Sequence, residues 1–352
     1  MEFGFWKNLK KPFFTIAPMA DVTDAAFRRM IATYGKPDVM WTEFVSAEGL
    51  MRGGKEALLV DLSFTDAERP IVAQLFGANT ETMRGAAKLC ASLGFDGIDI
   101  NMGCPDKAIE KQGAGAAMIK TPDRAREIIR AVKQGIEDAG KSIPVSVKTR
   151  IGYATNEIAT WIPVLLNEDI AALTIHARTR KELSKVPARW EHIKEVVALR
   201  DALGKETLII GNGDIESVHD GIQKAHETGA DGVMVGRALF GNPWFFTFKA
   251  HKQVSLITML RKVGARLLQY FGKKNRYWLL NSPQVSKEQR LRALLEHCEL
   301  FESLLGERKS FAVMRKHFKA YVHGWPGAKE LRMKLMQAEH ATEVKEILLT
   351  WK

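Results

Sequence analysis

Cysteine is scarce in this chain and widely scattered. Cys90, Cys104 and Cys298 are the three thiols in 352 residues. Their number and spacing suit neither a disulfide framework nor a Cys/His metal cluster, so no metal is expected. Such sparing use of cysteine implies a reducing compartment, and a cytoplasmic location is expected. No run of 18 or more apolar residues occurs, so no membrane span is expected. The opening stretch MEFGFWKNLKKPFF lacks a signal-peptide core and cleavage site. No GxGxxG follows a strand-like run, and GxxxxGK(S/T) is absent. Both a Rossmann-bound dinucleotide and a P-loop nucleotide are therefore disfavoured. Low-complexity segments are missing too. Aspartate is absent from residues 251–352.

That last absence leads to what is present. The chain carries a net charge of +11, and residues 251–352 alone hold 20 Lys and Arg against 9 Glu. The first 250 residues are balanced. A neutral front joined to a basic tail suggests a catalytic unit beside a polyanion-binding one. A Lys-rich solvated helical surface is the competing reading.

Up to about residue 250, short apolar runs alternate with helical patterns. The runs are FTIAPM (14–19), VMWTEFV (39–45), IVAQLFG (71–77), GIDIN (97–101), VSVKTR (145–150), ALTIHAR (172–178), LIIGNGD (208–214) and GVMVGR (232–237). Eight runs, each followed by a crossover, predict an α/β fold, a (β/α)8 TIM barrel over residues 1–250. A doubly wound open sheet is the alternative. Residues 251–352 show three- and four-residue apolar spacing only, which predicts a C-terminal all-α helical bundle.

Active sites of such barrels lie at the C-terminal strand ends. Here those ends carry Pro18-Met19-Ala20-Asp21, Glu43, Gln74, Asn101 to Cys104, Lys148 and Arg150, His176 with Arg178 and Arg180, Asn212-Gly213-Asp214, and Gly236-Arg237. Core packing does not call for Lys, His or Arg there. Side chains alternate along a strand, so Lys148 and Arg150 share a face, and His176, Arg178 and Arg180 share another while the chain stays extended. Five potentially cationic groups would suit an anionic or electron-rich ligand. The glycines after the last two strands, with Arg237, suit a phosphate group. Cys104 stands between Gly103 and Pro105 at a strand end, where a thiol is a candidate for chemistry rather than packing.

The segments APMADVTDAAFR, AQLFG, GIDINMGCP, KQGAGAAMIK, VSVKTRIG, IHARTR, IIGNGDI and DGVMVGRALFGNPW resemble, in order and spacing, the tRNA-dihydrouridine synthases. The resemblance covers about residues 13–245 and extends more weakly into MRKHFKAYVHGWPGAKELR. It implies an FMN-dependent barrel and a helical domain that grips tRNA. The implied reaction reduces the C5=C6 bond of particular uridines, with NADPH as the electron source. It also assigns roles: Pro18, Met19 and Ala20 against the flavin, Gln74 on the isoalloxazine edge, Lys148 and His176 beside the ring or its phosphate. Asn212, Gly213, Asp214, Gly236 and Arg237 would hold the ribityl phosphate. Asn101 and Arg178 would meet the target base, with Arg150 and Arg180 nearby, and Cys104 would donate the proton. The stretch HARTRKELSKVPARW departs from the Tyr-x-Gly pattern of many bacterial members, which leaves the target uridine open.

A proton donor should keep its thiol protonated at neutral pH, so Cys104 is expected to sit away from the densest positive charge. Gly113 and Gly115 are expected to keep the following loop thin and able to close. A flipped uridine costs a few kcal/mol to extrude, which basic helices can offset. Lys273, Lys274, Arg276, Arg315, Lys316 and Lys319, with Tyr277, Trp278 and Tyr321, are the contact candidates. The protein is expected to act as a monomer. Two other functions fit the residues less well: an FMN barrel reductase of a small molecule, similar to dihydroorotate dehydrogenase, and a tRNA-binding protein without chemistry.

Overall fold

The computed structural model describes residues 2–247 and 285–351. Lys273, Lys274, Arg276, Tyr277 and Trp278 lie outside the described residues. Eight strands form the core: β1 (Phe13–Ile16), β2 (Met40–Ser46), β3 (Ile71–Phe76), β4 (Gly97–Met102), β5 (Val145–Arg150), β6 (Ala172–His176), β7 (Leu208–Asn212) and β8 (Gly232–Val235). All are parallel, in the order β1-β8-β7-β6-β5-β4-β3-β2. A bridge between Thr15 and Val39 joins the two outer strands and closes the ring. The fold is a (β/α)8 barrel, and the open-sheet alternative is excluded.

The strands bury both faces, which is why they read as nearly continuous apolar runs. Several of the surrounding helices bury one apolar stripe. Helix Pro122–Asp138 tucks in Ala125, Ile128, Ile129, Val132 and Ile136, a three- and four-residue spacing, and leaves its charges outside. Strand β1 stops at Ile16, short of the predicted Met19, and Pro18, which has no N–H for a ladder, follows two residues on. Trp6, Phe13 and Trp41 fill the N-terminal end of the barrel, with ring centroids 5.5 and 5.9 Å from Trp6.

Packing divides the chain into two units. The barrel unit takes in Met1–Arg29, Pro37–Ile215 and Asp220–Arg237. The helical unit takes in Met30–Lys36, Glu216–His219 and Ala238–Lys352. The segment up to residue 247 thus packs with the helices, where Trp244 meets Tyr34 edge-on at 5.1 Å. Helix Lys287–Leu305 starts at a capping box, Ser286 with Gln289, and buries Ala293, Leu294, His297, Cys298, Phe301 and Leu305 along one stripe. Helices Arg315–Tyr321, Ala328–Leu335 and Ala341–Thr350 follow.

Candidate active site

The C-terminal mouth of the barrel is built from strand ends and the loops they launch. Its first wall is the loop after β1. Thr23 ties the backbone of Met19 twice, accepting from its N–H at 2.9 Å and donating to its carbonyl at 3.2 Å. The fully buried Arg28 braces the same loop through the Thr23 carbonyl at 2.7 Å and pairs with Glu68 at 2.6 Å. Pro18 is buried, Met19 half-buried and Ala20 exposed.

Strands β3, β4 and β5 contribute a row of polar side chains to the interior. Gln74, Asp99 and Ser146 are register partners across the three strands. Ser146 Oγ donates to Asp99 Oδ1 at 2.6 Å, and Gln74 Nε2 donates to Asp99 Oδ2 at 2.6 Å. Asn101 Nδ2 then donates to Gln74 Oε1 at 2.9 Å. On its other side Asn101 Oδ1 accepts the N–H groups of Gly103 at 3.1 Å and Cys104 at 2.9 Å.

Cys104 itself is half-buried, whereas Cys90 and Cys298 are buried. Burial pushes its thiol up from the ordinary value, against the smaller pull of the Asp106 N–H and of Arg150 and Lys148. The loop after it is held rather than loose. Arg150 Nε donates to the Gly103 carbonyl at 2.7 Å. Arg180 donates to the Pro105 carbonyl at 3.2 Å and forks onto Glu110, with its Nε at 2.8 Å. The Ala116 N–H returns to the Cys104 carbonyl at 2.9 Å. Gly115 makes that return possible: its φ is +63°, and a Cβ there would lie 2.8 Å from the Cys104 carbonyl. The pliable segment expected at Gly113 and Gly115 is thus a hydrogen-bonded cover.

The expected cations do gather, and the structure shows what each grips. Lys148 Nζ reaches Asn212 Oδ1 at 3.2 Å. Burial, then Arg150, lowers Lys148 to about 8, so it is largely charged at neutral pH. Arg150 also donates to the carbonyls of Thr179 at 3.1 Å and Leu183 at 3.3 Å. Desolvation depresses His176 well below its usual value, helped by Arg150, Lys148, Arg178 and Arg237, so the ring is neutral. Arg178 Nη1 lies 3.1 Å from His176 Nε2. A guanidinium only donates, so Nε2 accepts and the ring proton sits on Nδ1.

Asp214 anchors the last part of the mouth. Its carboxylate takes Arg178 and Arg237, and the Ala188 N–H at 2.8 Å. Burial would raise this carboxyl, but those partners hold it below the ordinary range. Gly213 (φ +129°) would put a Cβ 2.7 Å from the Ala188 Cβ, so the turn needs glycine. Asn212 is oriented by donating to the Met234 carbonyl at 2.9 Å. Gly236 faces Ala17 and Met19, where a Cβ would stand 3.4 Å from each. The Arg237 side chain is 65 % exposed and available beyond its one carboxylate contact. Among the described residues no group of three or more His, Cys, Asp or Glu could hold a metal ion.

Asp99 and Ser146 are site residues the sequence reading passed over. The signal was there: in Ile98-Asp99-Ile100-Asn101 the polar residues alternate, so both face the interior.

The helical unit has a feature of its own. Arg315, Lys316, Lys319, Lys329, Arg332, Met333 and Met336 line a groove of about 470 Å³. Met333 is 57 % exposed and Met336 42 %. Apolar stems and thioethers make its floor, and five cations surround it.

A thiol, a partly buried lysine and a neutral histidine at the C-terminal mouth of a (β/α)8 barrel define a barrel enzyme. The model of the family Dihydrouridine synthase matches residues 15–351. The chain therefore belongs to the dihydrouridine synthase family, and it is an oxidoreductase. It is 38% identical over 356 residues to a probable tRNA-dihydrouridine synthase of Staphylococcus epidermidis, covering 100% of this chain and 97% of that one. It is 38% identical over 352 residues to probable tRNA-dihydrouridine synthase 2 of Bacillus subtilis, covering 99% and 96%. Among solved structures, 6-hydroxypseudooxynicotine amine oxidase of Pseudomonas geniculata aligns at a TM-score of 0.50 and 13% identity, over 69% of this chain and 47% of that one, a likeness of fold alone. Among the described residues no helix is long and apolar enough to cross a membrane.

Proposed function

We propose that the protein reduces the C5=C6 bond of uridines in tRNA to 5,6-dihydrouridine, using bound FMN and NADPH as electron donor. It would do so as a monomer in the cytoplasm. The observation that carries this reading is Cys104: a half-buried thiol, kept protonated by burial, at the mouth of a barrel of this family.

The donor set fits a flavin phosphate. Gly213 keeps a turn that a side chain would disrupt, Arg237 offers an exposed guanidinium, and Lys148 offers a partly buried cation. In this reading Pro18, Met19 and Ala20 line one side of the ring and Gln74 and His176 meet its edge. Asn212, Gly213, Asp214, Gly236 and Arg237 gather at the phosphate. Bound flavin would supply the hydride for C6. Everything else falls to this chain. Cys104 Sγ holds the proton destined for C5, and Arg150 and Lys148 favour the thiolate left behind. Lys148 adds positive charge at the mouth below pH about 8. Asn101, Arg150, Arg178 and Arg180 shape the wall against which the base rests.

The basic groove of the helical unit supports tRNA over a small substrate. Lys316, Lys319 and Lys329 are exposed beside the two methionines. Cations on an apolar floor suit phosphates and an unstacked base together. The test is Cys104→Ala. The variant keeps its yellow colour and tRNA affinity but loses about 10²–10⁴-fold in turnover, the usual worth of a positioned acid. Mass spectrometry of tRNA treated with each protein reads the gain of two hydrogens per uridine. Full activity in the variant overturns the assignment, and a colourless wild-type protein overturns the cofactor.

A further inference from the structure

The row Ser146–Asp99–Gln74–Asn101 ends on the two backbone N–H groups that precede and carry the thiol. Only one sense of this chain satisfies every member. The N–H groups of Gly103 and Cys104 can only donate, so the Asn101 atom facing them must be oxygen. Its amide nitrogen then faces Gln74, whose facing atom must be oxygen in turn. Gln74 therefore presents nitrogen to residue 99, and a carboxylate accepts it. Reversing either amide would set donor against donor or acceptor against acceptor in a fully buried row. Each such mismatch would leave a buried polar group without a partner.

We infer that Asp99 is a positioning residue: as the acceptor between Ser146 and Gln74, it favours the amide orientation of Gln74 and Asn101 that holds the Gly103–Cys104 turn and so places the thiol. The inference rests on the proposed role of Cys104 for its consequence in turnover, but its geometry stands apart from that role. What the row requires at position 99 is an acceptor towards Gln74, not a negative charge. Burial raises Asp99 to about 6, and the protonated acid could still accept from Gln74 while donating to Ser146. Asparagine keeps the acceptor towards Gln74, because the Ser146 hydroxyl can turn and accept from its amide, and the same oxygen must then serve the Trp41 indole N–H that also acts on position 99.

Two variants separate this from a merely structural carboxylate. Hydrogen exchange is measured at the Gly103 and Cys104 amides, and Cys104 alkylation by iodoacetamide is followed in parallel. Cys90 and Cys298 are buried, so Cys104 is the thiol that reports. Asp99→Asn is expected to match the wild type in exchange and alkylation, the two readouts that need no substrate. Asp99→Ala is expected to raise exchange at the two amides about tenfold, the worth of a lost hydrogen bond. It should also change the alkylation rate and cut turnover about 10²-fold, with kcat bearing the loss rather than KM. Gln74→Met cuts the row one link further along and must raise the same exchange, so the idea remains testable if Asp99→Ala does not fold. Wild-type exchange in a folded Asp99→Ala or Gln74→Met protein overturns the inference. So does an Asp99→Asn protein that behaves like the alanine variant. Exchange and alkylation need no substrate. Their failure would sink the row, while intact readouts with no uridine reduction would sink the proposed reaction alone.

Discussion

The two units bury polar side chains for opposite ends. In the barrel, Asp99, Gln74, Asn101 and Ser146 satisfy one another in a directed row that stops at the thiol. In the helical unit, His297 and His317 lie edge to face at 4.6 Å, wholly inside the bundle, between Phe240 and Tyr321. Burial drives His297 down to about 3 and His317 well below its ordinary value, so both rings are packed as neutral aromatics. Polarity inside the barrel sets geometry. Inside the bundle the two imidazoles are held uncharged, and the charge of that unit is carried on its surface.

The largest effect expected from breaking this division lies on that surface. Lys316→Glu with Lys319→Glu should weaken tRNA binding about 10–100-fold and lower the slope of log affinity against log salt by about 2, one per phosphate contact. Flavin content, a property of the barrel, should not move. Filter binding across a salt series, beside the absorbance spectrum, checks both halves. If the double variant binds as the wild type does, the groove is not the polyanion surface.

Acid should split the units next. A histidine whose folded value is depressed leaves the unfolded chain with more protons below pH 6.5, so stability falls as pH drops through that range towards 3. The expected loss approaches about 1.4 kcal/mol per pH unit for each imidazole. Asp99 has the reverse sign. Its folded value is raised, so its contribution is greatest below pH about 4 and is lost as pH rises through about 6. Between pH 6.5 and 4.5 the helical unit should therefore melt at progressively lower temperature, and the barrel should fall less steeply, because what the depressed His176 loses there is offset by what Asp99 gains. Hydrogen exchange of peptides from each unit, read by mass spectrometry through thermal scans, reports the two separately. A single transition with one slope would show that the units do not differ in this way.

The smallest effect expected is local. Gly115→Ala places a side chain in left-handed backbone and against the Cys104 carbonyl, and should cost about 1–2 kcal/mol. Chemical denaturation measures it, and turnover should fall further than stability because the cover is tied to the thiol loop.

Much of this was legible in the sequence. All eight strands follow from apolar runs separated by crossovers, because a strand buried on both faces needs little else. The glycines at 213 and 236 and the thiol at 104 stood out because strand ends seldom need them. What stayed hidden depends on residues far apart in the chain. Arg150 and Arg180 read as free cations, yet one grips Gly103, Thr179 and Leu183 and the other grips Glu110 and Pro105. No spacing rule links those partners. Asp99 was missed for a different reason: a strand judged by its overall apolarity conceals a single alternating carboxylate. The helical unit begins before residue 251 because Trp244 and Thr247 bind Tyr34, again a long-range pairing.

The aromatic plug of Trp6, Phe13 and Trp41 has a consequence for traffic. Those buried rings occupy the end where the strands begin, and the polar groups of the site stand at the other. In the proposed reaction, reductant and nucleoside would approach the same polar face. A shared approach would make the two compete, and alternating visits, read as parallel initial-velocity lines, are the expected pattern.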